Sequence, residues 1–230
     1  MAPRPWQKAR GARIATLPLF SLIALGGPLG GPPGAAGFPL PHPAVYALGS
    51  AAAVAAVMPL DRWAGDEAPE NNGAPARFFA GAGDRLGNGA AIGASLLLLD
   101  AGGRLFHHPG LSTSSERIAA SVLVAGAVAS AMKLAVGRAR PYQTPGDADV
   151  YRPFSGNSSF PSGHTTVAFA TAAALTRETH ARWVRWVAYP AAALVAWSRL
   201  RDNRHWASDV VAGAAVGYGS AVVTERFLSR

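Results

Sequence analysis

The amino-acid sequence predicts an all-α protein, a helical bundle of about six core helices that is embedded in a membrane. Three observations carry this expectation. Apolar segments recur at Ala44 to Leu60, Gly89 to Ala101, Ile118 to Val136, Thr165 to Leu175, Val184 to Trp197 and Val210 to Phe227. Within them Ala, Leu and Val dominate and period-two alternation is scarce, which favours helix over strand. Turn-forming residues and charge gather in the connections, such as "DRWAGDEAPENNGAPAR" and "RLRDNRHWASD".

Composition agrees with one sizeable domain. Half of the 230 residues are apolar and only 15% are charged, against roughly 25% in an average soluble domain. The net charge of +8 calls for an anionic partner: an acidic membrane surface, a phosphorylated molecule or a nucleic acid. No aromatic-basic interleaving is present, so nucleic acid is set aside as a partner. There is no cysteine, which removes disulfides and thiolate metal sites but leaves the compartment open.

The elements follow in chain order. Arg4, Lys8, Arg10 and Arg13 precede the apolar run "IATLPLFSLIALGG" and a Gly/Pro-rich stretch ending near Ala36. That order is the order of an export signal, although an uncleaved basic tail fits it equally. The run of about 14 residues is short of the ~20 that a span needs. Residues 1–36 are therefore expected to be a signal-like segment with a linker, and residues 37–230 the working domain. Asp61 to Asn88 reads as a polar connection. His107 and His108 sit in the loop before the Ile118 segment, and Pro190 is expected to kink the Val184 segment.

If all six segments span and the basic N-terminal tail stays in the cytoplasm, the loops Asp61 to Asn88, Gly137 to Gly163 and Arg199 to Asp209 share one outer face. Arg177, Arg182, Arg185, Arg226 and Arg230 then lie inside, as the positive-inside tendency requires. The alternative is an exported, membrane-associated helical domain. Both arrangements put those three loops outside the cytoplasm.

Those loops carry three polar clusters. Lys133 and Arg140 are seven apart, nearly two helical turns, and would share a face if the helix continued to Pro141. Such a pair is either an anion clamp or two snorkelling side chains at a helix end. In "FPSGH", Ser162 is a good N-cap, so free N–H groups and a helix dipole converge where His164 begins a helix. The plainer alternative is a Ser cap beside a half-exposed histidine. His205 and Asp209 are four apart, so a carboxylate could fix the imidazole tautomer, with Arg199 as a further anion contact. A loop salt bridge, or a His/Asp metal site, would use the same residues.

Taken together, Lys133-x6-Arg140-Pro141, Pro161-Ser162-Gly163-His164 and Ser198-Arg199-x5-His205-x3-Asp209, in this order beside apolar helices, resemble the type 2 phosphatidic acid phosphatase (PAP2) and vanadium haloperoxidase superfamily. The likeness runs from about Ile118 to Tyr218, and "HWASDVVAGAAVG" is typical of bacterial phosphatase members. The resemblance implies a helical bundle with the motifs at one end and a metal-independent phosphatase without cofactor. In it His205 is the nucleophile, Asp209 orients it and His164 is the general acid and base. Lys133, Arg140, Ser162, Gly163 and Arg199 bind the phosphoryl group. The apolar surroundings and the outward-facing loops favour a lipid phosphate or diphosphate as substrate, at an active site facing the periplasm from the inner membrane. A soluble acid phosphatase, a vanadate-dependent haloperoxidase or a lipid-phosphate binder would use the same cradle. Arg138, Arg201, Asn203 and Arg204 are expected at its mouth, contributing positive potential, and Trp206 is expected to pack the motif helix.

Overall fold

A computed structural model of the protein describes residues 42–67, 73–179 and 181–229; the signal-like segment expected over residues 1–36 lies outside them. Among the described residues the regular elements are helices, with no strand beyond one isolated bridge between Arg138 and Tyr151. In order come α1 (Pro43–Val57), a 3₁₀ turn (Met58–Leu60), α2 (Asp61–Glu67), α3 (Ala74–Leu86), α4 (Gly89–Leu105), α5 (Pro109–Val136), α6 (Gly163–Glu178), α7 (Val184–Arg201) and α8 (Ala207–Leu228). All six expected apolar segments are helices, and most extend beyond the apolar run by a turn or more. Helices α2 and α3 are additions, because Asp61 to Asn88 had the composition of a connection.

The packing explains why so much of the apolar count is alanine. Helix α6 lies at the centre and buries two faces. Ala168, Phe169 and Ala172 meet Ala192, Val195 and Ala196 of α7 and Val210 of α8. On its other side Ala170, Ala173 and Ala174 meet Ile118, Val122 and Ala125 of α5 and Leu96 of α4. Small side chains allow helices to approach closely and gain contact from backbone atoms. Helix α8 uses Gly213 and Gly217 for the same purpose. A Cβ on Gly213 would stand 2.7 Å from the Ser162 carbonyl oxygen, and one on Gly217 would stand 2.2 Å from that of Thr166.

This contact supplies a test. Gly217→Ala adds helix propensity of about 1 kcal/mol, but its methyl group meets backbone that cannot swing aside. Overpacking of this kind costs about 1–3 kcal/mol, so the clash is expected to win. The expected result is a lower thermal midpoint, read by thermal unfolding in detergent micelles. A rise would mean that α6 and α8 separate at little cost.

Helix α1 lies along α8, with the Tyr46 hydroxyl donating to the Ala215 carbonyl at 2.6 Å and its ring stacked on Tyr218. Among the described residues, three helical stretches are long and apolar enough to cross a membrane: Pro43–Asp66, Pro109–Val136 and Ala207–Leu228. The third owes its composition to the core, since 72% of its apolar window is buried, but the first buries 0% and the second 22%. Leu123 on α5 and Leu97 and Leu98 on α4 are more than 70% exposed, an outer surface that water does not favour.

The up-and-down course brings the ends of α3, α5 and α7 and the starts of α4, α6 and α8 together. The three connections grouped by the sequence meet there. The opposite end is tied by Arg177 of α6 to Glu225 of α8 at 2.5 Å. His107 and His108, both exposed, lie at that far end in the α4–α5 turn, and α7 runs on through Pro190.

Candidate active site

At the gathered end, Arg140, His164, Arg199 and His205 line a cavity of about 300 Å³, joined by Asp84, Asp202 and Arg204. Of the other residues singled out by the sequence, Ser162 and Asp209 are fully buried, and Lys133 and Gly163 are partly buried.

Lys133 and Arg140 do not share a helix. Gly137 ends α5 with a left-handed φ of 58°, four residues ahead of Pro141. A Cβ there would lie 1.8 Å from the Arg152 carbonyl oxygen, so only glycine fits. The chain then runs extended beside residues 150–152, with Ala139 N–H donating to the Val150 carbonyl and Arg152 N–H to that of Gly137. The two cations still converge, through the loop before α6. The Lys133 ammonium donates to the carbonyls of Ser158 and Pro161, both at 2.6 Å, and Arg140 Nη2 reaches Ser158 Oγ at 3.2 Å.

Ser162 holds the N-cap position of α6, but its hydroxyl does not cap the helix. It is fully buried and accepts from Thr165 Oγ1 at 3.0 Å, while Ser162 N–H donates to the Asp209 carbonyl. The first-turn N–H groups of α6, including Gly163, are thus left without the expected serine cap, at the positive end of the helix dipole.

His205 precedes α8 and is 4% exposed. The expected carboxylate contact is not its closest one. Nδ1 lies 2.8 Å from the Ser159 carbonyl oxygen and 3.6 Å from Asp209 Oδ2. A carbonyl only accepts, so Nδ1 carries the proton and Nε2 keeps its lone pair. Burial pushes the His205 imidazole down to about 4, so the ring is neutral at ordinary pH. Asp209 instead organises the surroundings. Its Oδ2 accepts from Ser159 Oγ at 2.5 Å and from the Trp206 N–H at 2.9 Å, closing the first turn of α8, and its Oδ1 accepts from Arg138.

Arg138 corrects another expectation, for it is no cation of the mouth. It is 1% exposed and bound to Asp61 and Asp209 at 2.7 and 2.8 Å. Trp206, also buried, lies beside it and donates from Nε1 to the Ala139 carbonyl. Arg204 does line the cavity, its guanidinium over the Tyr142 ring. Arg201 pairs with Asp202 at 2.8 Å, and Asn203 turns the backbone with a φ of 55°.

His164 is half-buried. Burial and then the Arg199 guanidinium hold it below the usual histidine value, opposed by the carboxylate of Asp84. Asp84 and Asp202 are cavity residues that sequence reasoning missed, Asp84 because it lay in a segment taken for a loop. Among the described residues no group of His, Cys, Asp or Glu is placed to hold a metal ion. The cavity therefore offers guanidinium groups and a helix N-terminus for an oxyanion, a neutral imidazole with a free Nε2, and a second imidazole for proton transfer.

Comparisons with known proteins point the same way. Over 94 residues, 40% of this chain, the sequence is 40% identical to a lipid A 1-phosphatase of Porphyromonas gingivalis, covering 19% of that protein. It is 36% identical over 118 residues, 48% of this chain, to a lipid A 1-phosphatase of Rhizobium johnstonii, covering 46% of it. The chain thus spans less than half the length of these curated relatives. The fold is similar to the crystal structure of Aquifex aeolicus LpxE, with a TM-score of 0.55 at 18% identity, over 69% of this chain and 90% of that one. Residues 117–230, which hold all three motifs, match the PAP2 superfamily, and through this half the chain belongs to that superfamily.

Proposed function

We propose that the protein is a phosphatase that hydrolyses a lipid phosphate ester through a phosphohistidine on His205, at the outer face of a membrane. One observation carries the reading: the single proton of His205 is committed to the Ser159 carbonyl, so Nε2 is free toward a cavity lined by Arg140, Arg199 and His164. In this reading residues 37–230 form the phosphatase domain.

The chemistry follows in two balanced steps. His205 Nε2 attacks phosphorus, the P–O ester bond breaks, and His164 gives its proton to the departing oxygen, which leaves as an alcohol. Water then attacks phosphorus as the P–N bond breaks, neutral His164 takes the water's proton, and inorganic phosphate leaves with His205 restored. Arg140 and Arg199, with the N–H groups at the start of α6, hold the phosphoryl oxygens as charge develops. Lys133 directs two of its N–H bonds to the Ser158 and Pro161 carbonyls, which leaves one for the phosphoryl group and makes it a brace of the loop as well.

A lipid substrate is supported by the exposed apolar faces of α1, α4 and α5 and by the relatives, whose names specify lipid A. The outer location rests on Arg177, Arg182, Arg185 and Arg226 at the end away from the cavity. The detergent-solubilised protein, treated with EDTA, is expected to release phosphate from lipid monophosphates faster than from p-nitrophenyl phosphate. Release from soluble esters alone would make it a small-ester phosphatase. Lipid binding without release from any substrate would make it a binder.

A further inference from the structure

Asp84 lies on α3, outside the residues that match the superfamily, yet it faces the two groups on which the proposed chemistry turns. Its Oδ1 is 2.7 Å from Arg199 Nη2 and 3.4 Å from His164 Nε2. Two glycines put it there. A Cβ on Gly83 would meet the Leu194 carbonyl oxygen at 2.7 Å and Ser198 Cβ at 2.8 Å. One on Gly87 would meet Val195 Cγ1 at 2.4 Å and His164 Cβ at 3.1 Å. The end of α3 is therefore pressed onto α7 and the start of α6, with Asp84 between the two contacts.

We propose that Asp84 is a positioning residue, which holds His164 in its acid form and aims Arg199 at the incoming phosphoryl group. The inference rests on the phosphatase reading. The cations near His164 are Arg199 from α7, Arg140 from the α5–α6 connection and Lys133 from α5, with Arg204 and His205 on the cavity wall. All of the cations disfavour a proton on His164. Asp202 is engaged with Arg199 and Arg201, so Asp84 is the carboxylate that opposes them at the ring itself.

The sign of the pH dependence follows. The free enzyme needs His205 deprotonated and His164 protonated. kcat/KM should therefore rise with pH as His205 loses its proton near 4 and fall as His164 loses its proton below 6.5. Asp84→Asn keeps the size of the side chain and removes its charge. His164 is then expected to lose its proton at lower pH, a shift kept modest because Asp84 is half-exposed. At the acidic end of the profile, where His164 keeps its proton in both proteins, the variant should approach wild-type turnover, and its deficit should grow as pH rises through the His164 titration.

The experiment pairs kcat/KM profiles of the full chain in detergent with NMR titration of the His164 ring, for wild type, Asp84→Asn and Asp84→Glu. The expected result is a lower His164 titration and alkaline limb in Asp84→Asn, recovered in part by Asp84→Glu. An unchanged His164 titration, or a loss of rate equal at every pH, overturns the proposal. The titration needs no turnover. A shifted ring in a protein that releases no phosphate would sink the phosphatase reading and leave the Asp84–His164 coupling standing.

Discussion

Replacing Arg138 with methionine is expected to destabilise the protein by about 3–5 kcal/mol, the cost of breaking a buried ion pair by removing one partner. The guanidinium binds Asp61 Oδ2 and Asp209 Oδ1, carboxylates that are 1% and 0% exposed. It also donates to Ser208 Oγ and twice to the Ala148 carbonyl. The rings of Tyr151 and Trp206 lie within 5.5 Å of its Cζ. A buried cluster of this kind says little about net stability while intact, because desolvation offsets most of the attraction. Removing the cation is different, because two carboxylates then remain buried side by side. Ser208 still donates to both Asp61 oxygens, through N–H at 2.8 Å and Oγ at 2.6 Å, but hydrogen bonds do not cancel the charge. Arg138→Lys should lose less, since the charge survives and the fork that reaches both carboxylates does not. The check is denaturant unfolding in micelles for Arg138→Met, with Arg138→Met/Asp61→Asn beside it. Partial recovery in the double variant is expected. A loss under about 1 kcal/mol in the single variant would mean that the carboxylates are not held as a buried ionic cluster.

Much of the bundle was legible because its apolar helices are long and their composition is unambiguous. What escaped has identifiable physical reasons. Helix α3, "APARFFAGAGDRL", buries Ala80 and Gly83 and exposes Phe78 and Phe79, the reverse of the pattern that marks a core-facing helix. Asp84 disappeared with it. Arg138 and Asp61 are 77 residues apart, beyond any argument from local spacing, so a buried hub looked like one more surface cation. The Lys133–Arg140 spacing suggested one helical face, but Gly137 breaks the helix and a loop brings the pair together. The motif histidines and their cations could be chosen from the sequence alone. The Ser159 carbonyl that fixes the His205 tautomer could not, because every residue has a carbonyl and only the fold selects one.

That bond makes His205→Ala the sharpest test of the proposed mechanism. Truncation removes Nε2 and leaves Arg140, Arg199 and the start of α6 in place, so binding of the phosphate group should survive while turnover falls by roughly 10³-fold or more. Rapid quenching with phosphate-labelled substrate should yield an acid-labile phosphoprotein from wild type and none from the variant. Persistent labelling would move the nucleophile to another side chain. Asp209→Asn separates the two ways of orienting the imidazole. If Asp209 held the tautomer directly, its loss would cost nearly as much turnover as the loss of His205 itself. With Nδ1 donating to Ser159 at 2.8 Å and Asp209 Oδ2 at 3.6 Å, the asparagine variant keeps the proton on Nδ1 and the lone pair on Nε2. It loses the negative charge behind a ring that becomes positive as the P–N bond forms. The expected result is a smaller fall in kcat than for His205→Ala, together with a phosphoenzyme that still forms, only more slowly.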